Sequence, residues 1–174
     1  MKNYLLPILF FFISSTCIAQ KIHKEYSFYS NEEGSVYFIH PQKGFKSKDK
    51  EVVKDFIYDI TYLSTKDSAS FTFTYFTENI LKADSLTIVG AGGSPIYTGE
   101  IEMYFVQPYK GKIWQHRGNL VIPYDILVQL YQNESPYSIS LNGRKTIHYE
   151  MKAGTWKKQS SIVLKIFDVI KYNK

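Results

Sequence analysis

The sequence is very poor in cysteine. Cys17 is the only cysteine among 174 residues, and it precedes the point at which we expect the chain to be cleaved. A processed chain would therefore contain no disulfide, no thiolate nucleophile and no thiolate metal ligand. Its stability must come from an ordinary packed core.

Long apolar runs are also scarce. The run Tyr4–Ile13 follows Lys2 and precedes small residues that end at Ala19, which is the charged, apolar and small-residue order of a secretory signal. It is well short of the ~20 residues needed to span a bilayer. We therefore predict a signal peptide over residues 1–19 rather than a membrane anchor.

Cleavage after Ala19 would leave Gln20 as the first residue of one domain, residues 20–174, a length that can bury a real core. The protein is then exported, with a periplasmic or extracellular location. Acylation of Cys17 is the alternative, although Thr16 stands where lipoprotein signals have a smaller residue.

Net charge is low. The formal charge is +5, and loss of Lys2 with the signal would reduce it to +4. This excess is too small to indicate a nucleic-acid partner, although it would suit an anionic envelope component. After Pro41 we expect a loop that is either a solvated segment, which we favour, or a contact for anionic polymers or lipid head groups. Its lysines are Lys43, Lys46, Lys48, Lys50 and Lys54.

The sequence contains no nucleotide-binding motif, although one glycine cluster is similar to part of a dinucleotide-binding fingerprint. The segment Leu86–Gly99 has a strand-like run before its glycines, but Pro95 occupies the third glycine position of a dinucleotide fingerprint and another strand pattern follows. No Gly-Lys-Ser/Thr ends the run. We predict a hairpin loop at Gly90–Pro95, and neither nucleotide nor other cofactor. The predicted register pairs Val89 with Ile96 and Ile88 with Tyr97.

Aromatic residues, by contrast, are abundant: 15 Tyr and 12 Phe, which favours strands. The segments FIYDITYL and SFTFTYF alternate and predict an antiparallel hairpin. Its predicted pairs are Tyr62 with Phe71, Ile60 with Phe73, and Tyr58 with Tyr75. The residues expected on the opposite, solvated face are Asp59, Thr61, Thr72 and Thr74.

The remaining patterns predict more short strands. Two strands near Lys24–Tyr29 and Ser35–His40 are joined by NEEG, and three consecutive strands cover Ser85–Gly118, the second ending near Val106. A further hairpin is predicted with a three-residue loop, Leu141–Gly143, and Gly143 in the left-handed conformation. This loop keeps the apolar set on one face: Tyr137, Ile139, Ile147 and Tyr149.

Two segments change to helical periodicity. One predicts a short helix near residues 124–132, and the other an amphipathic C-terminal helix near residues 156–172 with Thr155 or Ser160 as its cap. We expect both to pack on the sheet; the alternative for the C-terminal helix is a role in binding a partner or a membrane surface. The predicted fold is mainly β (α+β): a strongly curved antiparallel sheet of about seven to nine strands, barrel-like or a sandwich.

Catalytic motifs are sparse. The histidines His23, His40, His116 and His148 show no zinc-binding spacing. Ser94 follows two glycines but precedes a proline, so it is a loop serine rather than a nucleophile at a strand-to-helix turn. We predict no catalytic residue and no metal site.

The strands on either side of QPYKG give the candidate ligand site. Placing Phe105 opposite Ile113 sets Tyr104 opposite Trp114 and Glu102 opposite His116. The pairs are either a plain surface cluster or a platform for a sugar or other ring. Two consequences follow from this register. Glu102 should raise the pKa of His116. Arg117 should point inward, and it should then either have a carboxylate or carbonyl partner or lie near the edge of the sheet.

Three hypotheses for function follow. We favour a non-enzymatic exported protein that binds a partner protein or envelope component, an anionic one among the candidates. The second hypothesis is a small-molecule or carbohydrate pocket enclosed by the curved sheet and closed by the C-terminal helix. The third is a hydrolase with acid and histidine side chains from neighbouring strands. Membrane contact is not predicted, and no sequence pattern indicates an oligomeric state.

Overall fold

The computed structural model describes Ile22 and residues 24–173. The predicted signal peptide, residues 1–19, lies outside them, so its cleavage and the alternative acylation of Cys17 stay predictions. Within the described residues, ten strands and two helices follow one another along the chain.

The strands are β1 (Tyr26–Asn31), β2 (Gly34–Lys46), β3 (Phe56–Leu63), β4 (Ser68–Thr77), β5 (Ala83–Val89), β6 (Pro95–Glu100), β7 (Glu102–Lys110), β8 (Ile113–Pro123), β9 (Ser138–Gly143) and β10 (Ile147–Met151). Helix α1 (Tyr124–Gln132) connects β8 to β9, and helix α2 (Ala153–Tyr172) follows β10. The predicted fold class, a mainly antiparallel β protein with these two helices, is confirmed.

The ten described strands form one sheet in the order β6-β5-β9-β10-β2-β3-β4-β8-β7, and β1 pairs with β2 beside this path. The sheet is not closed into a barrel, and because it is single it is not a sandwich. Strands β6 and β7 lie at opposite ends of the order yet adjoin through Ile101. The sheet must therefore curve strongly to bring its two ends together.

One face of this sheet is the core, and both helices pack on it. Helix α1 contacts β4 and β8, and helix α2 contacts β2, which confirms the predicted docking. The opposite side of the sheet is called the outer face below. The core side chains from the helices are Leu127, Leu130, Tyr131, Trp156, Val163, Ile166, Phe167 and Ile170.

The start of α2 differs from the prediction. The helix begins at Ala153, and Lys152 is its N-cap without a side-chain hydrogen bond. Thr155 and Ser160 both lie inside the helix, and the Ser160 hydroxyl donates to the Lys157 carbonyl at 3.4 Å. The predicted cap is therefore wrong.

The β3–β4 hairpin has the predicted faces but a different register. Tyr62 lies opposite Ala69 rather than Phe71, Ile60 opposite Phe71, and Tyr58 opposite Phe73. The strands continue closer to the turn, which shifts the pairing by two residues and leaves every side chain on its predicted face. The expected solvated face is wrong in part, because three of its four residues are buried: Asp59, Thr72 and Thr74.

The glycine segment is a hairpin loop, as predicted. The Gly90 N–H donates to the Ser94 carbonyl at 2.9 Å, and Ile88 lies opposite Tyr97. A register shift then sets Val89 opposite Pro95 instead of Ile96.

The three strands predicted over Ser85–Gly118 are four. Ile101 separates β6 from β7, and β7 continues through Pro108 to Lys110, beyond the predicted end at Val106. Register shifts on both sides of its centre show that this strand is irregular.

The β9–β10 hairpin also turns later than predicted. Leu141 lies opposite Ile147 and Ile139 opposite Tyr149, so the residues between Gly143 and Ile147 make the turn. Gly143 is not in the left-handed conformation. The residues that were predicted to form the loop, Leu141–Gly143, instead pair with β5. Pairing with this neighbouring strand keeps them extended as the last residues of β9.

Near the N-terminus, β1 and β2 confirm the two predicted strands. Strand β2 runs through Pro41 to Lys46, with register shifts around Pro41 and Gly44, so Lys43 and Lys46 are strand residues rather than loop residues. Lys48 lies 3.3 Å from Glu150. Part of the predicted basic loop is thus held within the sheet and an ion pair.

Candidate functional site

The four residues of the predicted platform do not meet in the predicted pairs. Glu102 lies opposite Asn119, and Trp114 lies opposite Pro108. The predicted register is wrong because β7 has register shifts at Met103/Phe105 and Pro108/Lys110, which an unbroken alternation cannot represent.

The two polar members of the platform lie on opposite faces of the sheet. His116 is buried and stacks on Tyr75 with ring centroids 4.4 Å apart, whereas Glu102 is exposed opposite Asn119 on the outer face. Tyr104 is exposed beside the first register shift, and Trp114 is half-buried. Ligand binding by these four residues stays a prediction. The shared face from which it was inferred is missing, because Glu102 and His116 lie on opposite faces.

Arg117 has a carboxylate partner, as predicted, but on the other face. Its Nη2 donates to Asp59 Oδ2 at 3.0 Å, and its Nη1 donates to Thr74 Oγ1 at 3.0 Å. The pair lies on the outer face, because Tyr75 and His116 occupy the core face of the neighbouring positions. The inward orientation was wrong since it depended on the β7–β8 register.

The pKa of His116 moves in the direction opposite to the prediction. Burial lowers it to about 4, and the positive charge of Lys82 acts in the same direction. Its Nε2 accepts the Leu81 N–H at 3.3 Å. His116 is thus a neutral core residue, and no carboxylate contributes to the shift of its pKa.

A pH dependence of stability follows from this burial. The unfolded histidine takes up a proton near pH 6.5 and the folded one only near pH 4. The folded state should therefore lose stability as the pH falls through this window. Urea denaturation at several pH values should show that slope in the native sequence and a smaller one in His116→Gln. The exposed His148→Gln variant is the control, and an unchanged slope in His116→Gln would contradict the assignment.

A serine and a histidine are in contact on the outer face, and such a contact is one part of a serine-hydrolase site. Ser140 Oγ lies 2.9 Å from His148 Nδ1, and Asp49 accepts the backbone N–H of His148 rather than its ring. Ser140 is paired on both sides, with Thr87 and with His148, so its backbone is committed to the sheet. The contact lacks both the orienting acid and the oxyanion donors that an acyl-transfer site needs.

Residues 24–173 contain neither a candidate metal site nor a candidate membrane-spanning helix. No group of three or more His, Cys, Asp and Glu side chains in this region could hold a metal ion. Neither α1 nor α2 combines the length and hydropathy of a membrane-crossing helix.

A groove runs between α1 and α2. The helices are antiparallel, since the Tyr124 ring at the start of α1 lies 5.6 Å from that of Phe167 near the end of α2. At the other end, Trp156 Nε1 donates to the Asn133 carbonyl at 3.1 Å. These two contacts fix the helices along their full overlap.

Two adjoining cavities form this helix groove, and they share Gln132 and Leu164. The larger has a volume of about 720 Å³ and is lined by Tyr131, Gln132, Asn133, Glu134, Lys157, Ser160, Ser161, Leu164 and Lys165. The smaller has a volume of about 280 Å³ and is lined by Tyr124, Val128, Gln132, Leu164, Phe167, Asp168 and Lys171.

The groove has apolar side chains on its floor, and its charged lining residues are three lysines and two carboxylates, Glu134 and Asp168. Val128 and Leu164 are half-buried on the floor, while Lys157, Lys165 and Lys171 are exposed along α2. None of these lysines forms an ion pair with another described residue. The lysines span 14 residues, which corresponds to about 21 Å of helix.

The sequence patterns did not predict the groove, because they favour both helices as cover for the sheet and leave a partner-binding role open only for the C-terminal helix. Their outward stripes do carry a signal: Tyr124, Val128 and Gln132 recur every four residues, and Lys157 and Lys165 are eight apart. The way these stripes face each other depends on antiparallel docking, which no local pattern reveals.

Comparison with known proteins gives no analogy for this site. No protein-family model matches the chain, and no curated protein or solved structure matches it significantly.

Proposed function

We propose that this chain is an exported, non-enzymatic protein that binds an acidic amphipathic helix of a partner protein in the helix groove. The observation that carries the proposal is a floor with apolar side chains, Val128 and Leu164, beside three lysines of α2 that outnumber the two carboxylates of the same lining. Apolar side chains of a partner would cover Val128 and Leu164, and its carboxylates would lie near Lys157, Lys165 and Lys171.

The walls favour a helix over an extended peptide. Both walls are helices, whose backbone N–H and C=O groups are already bonded within α1 and α2. An extended partner would leave its own backbone groups unsatisfied here, whereas a helix satisfies them internally. A groove of about 21 Å accommodates about 14 helical residues.

The lining favours protein over lipid. Gln132, Ser160 and Ser161 interrupt the apolar floor, so an acyl chain would bury polar groups without partners. The side chains of an amphipathic helix can pair with both kinds of surface. The inner face of the sheet, where the alternative hypothesis requires a pocket, is occupied by side chains such as Trp156 and Phe167.

Photo-cross-linking in the producing cells tests the proposal. A photoreactive amino acid at Ser161 should cross-link a protein, and the attached peptide should be an acidic amphipathic segment identifiable by mass spectrometry. The same probe at the exposed Thr65 should not give that product. Cross-links to lipid alone, or none, would contradict the proposal.

Charge reversal of the wall provides the matched comparison. The triple variant Lys157→Glu, Lys165→Glu, Lys171→Glu should abolish the Ser161 cross-link, because carboxylates would then face carboxylates. A control carries the same change of net charge at exposed lysines elsewhere: Lys50→Glu, Lys66→Glu and Lys112→Glu. Loss of the product in both variants would indicate a general charge effect rather than groove binding.

A further inference from the structure

The hairpin that joins β7 to β8 extends beyond the neighbouring strand. Strand β4 ends at Thr77, whereas β7 and β8 continue past it until Lys110 lies opposite Ile113. Gly111 lies in the turn with a φ of 56°, and a Cβ at this position would meet no atom beyond its chain neighbours within 4 Å. Residues 108–113 therefore form a convex projection, called the hairpin tip below.

The hairpin tip combines positive charge with aromatic surface. Lys110 and Lys112 are both exposed, and Tyr109 beside them is 39% exposed. A third cation adjoins the tip, because Lys54 Nζ lies 3.9 Å from the ring centroid of Tyr109 and 4.9 Å from that of Phe76. These contacts hold Tyr109 on the outer face of the sheet, where its ring is still accessible.

Positive charge dominates at this end of the sheet. The three lysines of the tip form no ion pair with another described residue. Glu51 and Asp55, in the segment before β3, are each paired with a different lysine, at 3.1 and 3.9 Å. Glu78, directly after β4, is exposed and has no ion pair among the described residues. The lysines thus outnumber this carboxylate three to one.

We propose that the hairpin tip attaches this chain to the surface of an anionic phospholipid membrane. Lys110 and Lys112 lie among the lipid phosphates in this arrangement, and the Tyr109 ring lies at the level of the head groups, where amphipathic aromatic side chains are favoured. The attachment is independent of the helix groove, because α1 begins at Tyr124, at the other end of β8.

The shape of the tip favours a membrane over a soluble polymer. Sites for peptides and sugars are concave, and a convex projection would touch such a ligand along one side only. The fluid interface of a bilayer, by contrast, can close around a projection. A polyanion would also pair with the lysines alone and leave Pro108 and Tyr109 exposed, whereas the membrane interface accommodates the charged and the apolar side chains together.

Vesicle flotation tests the charge requirement. The purified protein should float with vesicles of phosphatidylcholine and phosphatidylglycerol in equal amounts, and not with phosphatidylcholine alone. The variant Lys110→Glu, Lys112→Glu should lower the affinity for the anionic vesicles by roughly twentyfold or more, since each lysine near such a surface contributes about fivefold. The control Lys24→Glu, Lys66→Glu carries the same change of net charge at exposed positions and should bind within about twofold of the native sequence.

Two outcomes of this experiment would overturn the proposal. One is no flotation of the native sequence with the anionic vesicles, including the case in which the protein binds only a soluble polyanion such as dextran sulfate. The other is an equal loss in both charge variants, which would indicate a general charge effect without a contribution of the tip.

A fluorescent label gives a second, geometric test. In a Cys17→Ala background, an environment-sensitive fluorophore on Pro108→Cys should shift its emission to shorter wavelengths when anionic vesicles are added, because the tip enters a less polar interface. The same label on Thr65→Cys, in the turn at the opposite end of β4, is the control and should not shift. A shift at residue 65 but not at residue 108 would refute attachment through the tip.

Discussion

Replacing Trp156 with alanine is expected to reduce the free energy of unfolding by about 4 kcal/mol. The Trp156 side chain is fully buried, and its ring lies between those of Tyr131 and Tyr137, at 5.2 and 5.1 Å. Alanine would leave a cavity bounded by α1, α2 and the loop before β9. It would also remove the Nε1 hydrogen bond to Asn133.

Urea denaturation followed by far-ultraviolet circular dichroism would measure this loss. A domain of this size should melt roughly 8–15 °C lower. Trp156→Phe should lose less because it refills part of the space. Trp114→Ala is the matched control, since the same truncation at a half-buried site leaves a smaller cavity. A loss below about 1 kcal/mol at Trp156 would mean that α2 does not anchor the core.

The sequence predicted faces far better than registers. Alternating Tyr and Phe residues placed Tyr58, Ile60 and Phe73 on the core side, and all are buried. A register shift of two residues keeps every side chain on its face, so alternation cannot choose between Tyr62 opposite Phe71 and Tyr62 opposite Ala69. The length of the turn decides, and that depends on backbone pairing close to the turn.

Helix α1 was predicted with nearly its observed bounds because its signals are local. Pro123 stands at its start, and apolar residues recur at helical spacing up to Tyr131. The predicted register of the platform was wrong for the opposite reason. The irregular pairing of β7 around Met103 and Pro108 is a backbone property, and the side-chain alternation continues through it without a visible break.

The helix groove and the buried part of the outer face both depend on residues that are distant in sequence, so no local sequence pattern could predict them. Residues distant in sequence form both: Leu164 and Val128 line one cavity from two helices, and Arg117 donates a hydrogen bond to Asp59, 58 positions away. Alternation predicted correctly that Asp59 points to the face opposite the core, but the expected exposure to solvent was wrong. It could not reveal that Arg117 extends over that face and excludes water.

Removal of Arg117 is expected to destabilise the protein by roughly 3 kcal/mol at neutral pH. Asp59 is buried, with its side chain 5% exposed, and Arg117→Ala would leave its carboxylate without a cation. The Arg117 side chain is 33% exposed, so we place the loss at the low end for buried pairs. Arg144→Ala, at an exposed turn, is the control and should change stability by less than about 0.5 kcal/mol.

The pH dependence of that loss identifies its origin. Burial raises the pKa of Asp59 even though Arg117 opposes the shift, so the folded state keeps a proton on Asp59 to higher pH than the unfolded chain does. Stability from this group is therefore greatest below the unfolded pKa and falls as the pH rises through the folded one. Without Arg117 the folded pKa should rise further, and the loss should be full near pH 7.

The difference in unfolding free energy between the native sequence and Arg117→Ala should therefore shrink as the pH is lowered from 7 towards 4. His116 is present in both proteins, so its own titration cancels in this difference. Adding Asp59→Asn to Arg117→Ala should recover much of the loss at pH 7, because the buried group no longer ionises. A difference that is constant with pH, or a double variant no more stable than Arg117→Ala, would show instead that Arg117 acts by packing over the outer face.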